Sequence, residues 1–129
     1  MFLAETAMMM FWKNEIERTF EKGVKMEEKS YLGQEKMQPY YKKAVEKWGE
    51  NAQYDQTIEE MAELTIAINK LKRMNAGEKM DGAKVKNNLY EEIADVKLCI
   101  EELEYMLGKQ NIDDAMEKKT KKFLCELGI

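Results

Sequence analysis

Two acidic clusters of matched form stand in this chain, Glu59-Glu60-Met61-Ala62-Glu63 and Glu91-Glu92-Ile93-Ala94-Asp95. Carboxylates three residues apart on a helix project from one face about a turn apart. Turned toward each other across two helices, Glu60, Glu63, Glu92 and Asp95 would supply four hard oxygen donors, the ligand chemistry of a magnesium ion.

Acidic runs on helices are usually solvated faces, but the helical wheel separates some of these carboxylates from that reading. At about 100° per residue, Ile58, Met61, Leu64, Ala67, Ile68 and Leu71 fill one apolar arc, which predicts the buried face. Glu60 falls inside that arc and Glu63 at its edge. On the second cluster's helix the stripe is Leu89, Ile93, Val96, Ile100, Leu103 and Leu107, widened by Cys99 and Met106. Glu92 lies within it and Asp95 borders it. Glu91, Glu101 and Glu104 point elsewhere and are expected to be ordinary solvated residues, while Glu59 is intermediate.

Burying one unpaired carboxylate costs several kcal/mol, a large share of a small domain's stability, so something positive is expected among them. A lysine network is one answer and a divalent cation the other. No lysine occupies the matching positions beside Glu60 or Glu92, which favours the cation.

Polar and aromatic neighbours continue the same faces. Gln53 and Gln56 precede Glu60 by one to two turns and Asn88 precedes Glu92 by one, so their amides could bind a ligand's base, sugar or phosphate, or merely serve helix ends and solvent. Trp48 and Tyr54 could stack on a base, although an aromatic at helical spacing is more often core.

The elements that must position these groups are helices. Glu, Lys, Met, Leu and Ala dominate, proline occurs once, glycine seven times, and no β-type alternation is sustained, which predicts an all-α protein. Apolar periodicity predicts a first helix over residues 3–29, with Met9, Trp12, Ile16 and Phe20 in phase, and a second following Pro39 and ending at Gly49. The acidic clusters ride on helices over 51–74 and 84–107, joined by a polar loop at 75–82. A lysine-rich helix over 112–127 ends the chain.

At 129 residues and 44% hydrophobic content, one domain is expected. The net charge of −4, with basic residues dispersed among acidic ones, argues against a nucleic-acid partner. The apolar start, Met1 to Trp12, contains Glu5, lacks a basic leader and is too short to span a bilayer, so neither a signal, an anchor nor a membrane partner is expected. Two cysteines, Cys99 and Cys125, without metal-type spacing fit reduced thiols of a cytoplasmic protein. The chain contains no histidine. That removes His-based catalysis, His-type zinc sites and the Glu-x-x-His di-iron bundle together.

The pattern Glu59-Glu60-x-x-Glu63 followed on the next helix by Glu92-x-x-Asp95 resembles the signature of the all-α nucleoside triphosphate pyrophosphohydrolases, the superfamily of MazG-like proteins, dimeric dUTPases and dCTP pyrophosphatases. The lead-in Trp48-Gly49-Glu50-Asn51-Ala52-Gln53 is similar too, and the likeness spans about residues 48–107. Either motif alone is weak; their order on consecutive helices is what carries the likeness. Asn88 stands near where some members carry a lysine, with Lys84 and Lys86 close by, and residues 1–40 match nothing in the pattern.

The resemblance implies a four-helix core of MazG-like type in one domain over 1–129, with residues 1–40 as an N-terminal helical extension. It implies that Glu60, Glu63, Glu92 and Asp95 ligate Mg2+, for which Mn2+ could substitute, and that Glu59 orients or deprotonates the attacking water. The implied reaction is hydrolysis of a deoxy- or non-standard nucleoside triphosphate at the α-phosphorus to the monophosphate and pyrophosphate. Gln53, Gln56, Lys86, Asn88 and Trp48 are the substrate-binding candidates, and a homodimer or homotetramer is the expected assembly, helped by the Met-rich start. The competing function is a non-catalytic helical interaction or assembly protein, whose acidic positions set pairing specificity and which needs no metal.

Overall fold

The computed structural model describes residues 32–129, which form four helices and no strand: α1 (Gln34–Trp48), α2 (Glu50–Asn75), α3 (Gly82–Leu107) and α4 (Lys109–Glu126). The all-α expectation holds for these residues. The helix expected over 3–29 lies outside the described residues.

Helix α1 begins five residues before Pro39, not after it, and carries that proline in its interior. Met37, Tyr41 and Ala44 are its buried residues, spaced four and three apart, so the packed stripe extends upstream of the proline. That packing outweighs the lost backbone bond of an interior proline, roughly 3 kcal/mol. A single residue, Gly49, separates α1 from α2; its φ of 86° is a left-handed angle that glycine adopts without penalty, and its N–H closes α1 on the Val45 carbonyl at 2.8 Å.

Helices α2 and α3 each run 26 residues and pair along their length. Between them the polar stretch expected as a loop turns at Gly77 (φ 104°), and Asp81 caps α3 by accepting from the Lys84 N–H at 3.2 Å. Ala67 is fully covered, small enough at this contact to let the backbones approach. Helix α4 has no buried residue and follows α3 through Gly108 alone.

The apolar arc expected to face the core is only half buried. Ile58 is 65% exposed, Met61 50% and Ile68 44%, and on α3 Ile93 and Ile100 are exposed as well. The covered face of α2 is instead Gln53, Gln56, Thr57, Glu60 and Ala67. Ile58 lies about 160° around the helix from Glu60, so a face centred on Glu60 must leave it outside. The apolar core among the described residues is thin, namely Met37, Tyr41, Ala44, Ala67, Leu89 and Cys99. No described helix is long and apolar enough to cross a membrane.

Candidate metal centre

The groups facing one another along α2 and α3 follow one antiparallel register. Thr57 lies beside Cys99, Glu60 beside Asp95, and Glu63 beside Glu92. Each step of three or four along α2 is matched by a step of three or four back along α3, the spacing that keeps side chains on one helical face. The seam between the two longest helices is therefore lined by carboxylates, amides, a hydroxyl and a thiol.

At its centre Glu60, Glu63 and Glu92 each offer an oxygen, all within 4.8 Å of one another. Glu60 is 2% exposed, Glu63 and Glu92 are half-buried, and Asp95 is half-buried beside Glu60. One oxygen of Glu60 accepts from the Gln56 amide at 2.7 Å, while the other, and Oε2 of Glu92, receive no N–H or O–H donor. No Lys or Arg lies within ion-pair distance of these carboxylates among the described residues, whose recorded pairs are all elsewhere.

The electrostatics follow from that arrangement. Burial, then the charges of Asp95, Glu63 and Glu92, push the Glu60 carboxyl up to about 8. Burial, then Glu63 and Asp95, push Glu92 up to about 7. Asp95 is raised by burial and then by the charges of Glu63 and Glu91. Without a cation the cluster tolerates its own charge by holding protons. Buried carboxylate oxygens lacking donors, in a set of hard oxygens with no basic residue among them, fit a divalent cation.

Other candidates fall in varied places. Glu59 is half-buried next to the cluster. Gln56 is 5% exposed and its amide buttresses Glu60, so it is spent on the carboxylate. Gln53 is buried one to two turns away, its amide donating to the Ala44 carbonyl of α1 at 3.5 Å. Asn88, half-buried, continues the face of Glu92 one turn away. Lys86 is exposed and lies about 120° around α3 from Glu92, off the carboxylate face. Trp48 is half-buried at the end of α1, with the Lys47 ammonium 5.0 Å from its ring centre.

Two glutamates expected in solvent are engaged. Glu101 accepts from the Tyr41 hydroxyl at 2.8 Å, and Glu104 accepts from the Gln34 amide, tying α1 to α3. The wheel could not anticipate this, because it has no knowledge of where a third helix docks. Glu102 was not singled out in the sequence, yet it is 1% exposed, and its signal was its phase: residues 92, 95, 99 and 102 share one stripe.

Comparison of the chain with protein-family models, with characterised proteins and with solved structures finds no match in any of the three.

Proposed function

We propose that this chain is a magnesium-dependent nucleoside triphosphate pyrophosphohydrolase with a MazG-like helical core. The observation that carries the reading is the convergence of Glu60, Glu63 and Glu92 within 4.8 Å, buried or half-buried, with no basic residue among the described ones to balance them. Asp95 completes the set beside Glu60. The resemblance of the two acidic motifs to that superfamily supplies the reaction class.

These four residues would hold the cation, which when bound neutralises the charge of the phosphate oxygens. Gln56 fixes one oxygen of Glu60 and leaves the other free to ligate. Glu59 orients the attacking water and takes its proton. A bond forms from that water's oxygen to the α-phosphorus as the bond to the β-phosphate oxygen breaks, and pyrophosphate leaves. Asn88, on the face of Glu92, is the better placed of the α3 candidates to contact the phosphates, and Trp48 borders the same end of α2 as Gln53.

The exposed Ile58, Met61, Ile68, Ile93 and Ile100 and the unburied α4 favour a homodimer or homotetramer that covers them. The same surfaces favour the second reading, a helical assembly protein without catalysis. A panel of ribo- and deoxynucleoside triphosphates with Mg2+, read out so that pyrophosphate and orthophosphate are distinguished, tests the proposal. Pyrophosphate and monophosphate are expected; orthophosphate as sole product, or no turnover of any triphosphate, rejects it.

A further inference from the structure

Two turns from the metal cluster the seam holds a second group of unmet polar atoms. Glu102 is 1% exposed and neither of its carboxylate oxygens receives a hydrogen bond. Extending the antiparallel register by one step from Thr57 and Cys99 places Gln53 in the layer of Glu102. Gln53 is also 1% exposed; its amide N–H is taken by the Ala44 carbonyl and its Oε1 has no donor. Tyr41 of α1 senses the charge of Glu102 and is buried there too, with its hydroxyl donated to Glu101. Three acceptor oxygens thus share one layer, and among the described residues no donor is aimed at them.

Buried acceptors without donors are costly, and more so when charged, so the layer calls for an N–H-bearing group. A cation shared with the cluster is excluded by distance. Glu102 follows Asp95 by seven residues and Gln53 precedes Glu60 by seven, an offset of about 10 Å at roughly 1.5 Å per residue, whereas an ion's oxygens stand at about 2.0 to 2.6 Å. An offset of that size is comparable to the reach from a nucleotide's α-phosphate to the far edge of its base.

We propose that Glu102, with Gln53 beside it, accepts the exocyclic amino group of the substrate's base, so that the chain selects bases bearing that amino group over counterparts that lack it. The inference rests on the reading of the carboxylate cluster as the triphosphate site. When ionised, the Glu102 carboxylate is acceptor-only and pairs with a base amino group, as acidic side chains do with the amino group of cytosine. Sugar hydroxyls and the ring N–H groups of uracil, guanine and hypoxanthine are the other donors of a nucleotide, and the sources differ in what their removal does.

The test compares kcat/KM of the full chain with Mg2+ on the matched pairs CTP and UTP, and GTP and ITP, in ribo and deoxy forms, for wild type, Glu102→Gln and Glu102→Leu. Glu102→Gln keeps the side-chain volume and removes a buried charge, and thermal unfolding verifies that both variants fold. The expected result is a preference of about tenfold or more for CTP over UTP and GTP over ITP, reduced in Glu102→Gln and lost in Glu102→Leu. Ratios unchanged by both variants, or a wild-type preference for UTP, overturn the proposal. So does a ribo-over-deoxy preference that alone collapses in the variants, which assigns the donors to the sugar. Calorimetric binding of CMP and UMP keeps the subsite testable if no triphosphate is turned over. Tighter CMP binding that is equalised in the variants supports it, and equal binding by wild type overturns it.

Discussion

Helix α4 and the α2–α3 seam are built from the same acidic residue types and treat them in opposite ways. On α4 three of the four acids meet a lysine one turn away, Lys109 with Asp113 at 2.7 Å, Lys121 with Glu117 at 3.0 Å and Lys122 with Glu126 at 3.8 Å, and the fourth, Asp114, accepts from the Gln110 amide, all in solvent. On the seam Glu60, Glu63, Glu92 and Asp95 are covered or half-covered and meet one another. A chain able to pair its acids within single turns has left its most buried ones unpaired. Exposed pairs of the first kind contribute between nothing and about 1 kcal/mol, while an uncompensated buried set is strongly destabilising. The contrast locates the part of the molecule whose carboxylates could hold a metal ion.

Breaking the seam's ligand capacity should give the largest effect. Glu60→Gln combined with Glu92→Gln is expected to reduce hydrolysis by at least about a thousandfold, on the scale of removing key charge stabilisation, and to abolish any Mg2+-dependent rise in melting temperature. For wild type a saturating divalent ion, at a hundredfold over its dissociation constant, should stabilise the fold by about 2.7 kcal/mol. A thermal shift assay with and without Mg2+ reads both.

The next contrast lies in pH. In the metal-free chain the folded Glu60 carboxyl, raised from 4.5 to about 8, and that of Glu92, raised from 4.5 to about 7, bind protons that the unfolded chain has released. Their contribution to stability is therefore fully present below about pH 4.5 and is lost as pH rises through 7 to 8. Denaturant unfolding without metal should show stability falling across that window. Glu60→Gln should flatten the slope, and Mg2+, which requires the ionised carboxylates, should oppose it. A slope that rises with pH in the metal-free chain would contradict the crowding of these acids.

Smaller effects mark the joints. Tyr41→Phe removes the hydroxyl that Glu101 accepts and should cost about 1 kcal/mol, measured by urea unfolding. Glu117→Ala, on α4, should change stability by less than about 0.5 kcal/mol, since its partner Lys121 is exposed. If Glu117→Ala cost more than Tyr41→Phe, the division between the two regions would not stand.

Much of this was legible in the residues. Spacing of three and four placed Glu60, Glu63, Glu92 and Asp95 on facing stripes, and glycines marked the helix ends at Gly49 and Gly108. Periodicity was less reliable about which half of the apolar arc is covered, because Ile58 and Met61 are as hydrophobic as any core residue and a single wheel cannot say where the partner helix lies. The engagement of Glu101 and Glu104 was hidden for the same reason: their partners, Tyr41 and Gln34, are 60 and 70 residues away in sequence. The start of α1 was missed since Pro39 is a strong local stop signal that tertiary packing overrode.

The one-residue elbow at Gly49 has a further consequence. A methyl group added there would meet nothing within 4 Å, yet the φ of 86° is one that L side chains rarely adopt, so what guards the position is torsion rather than crowding. The angle aims α1 at the flank of the helix pair, and across the bend Gln53 reaches back to Ala44 through its amide and to the Gly49 carbonyl through its backbone N–H. The bend thus works as a mechanical setting: turn it, and the wall that Tyr41 and Gln53 raise around Glu102 loses its alignment while the carboxylates farther down keep theirs.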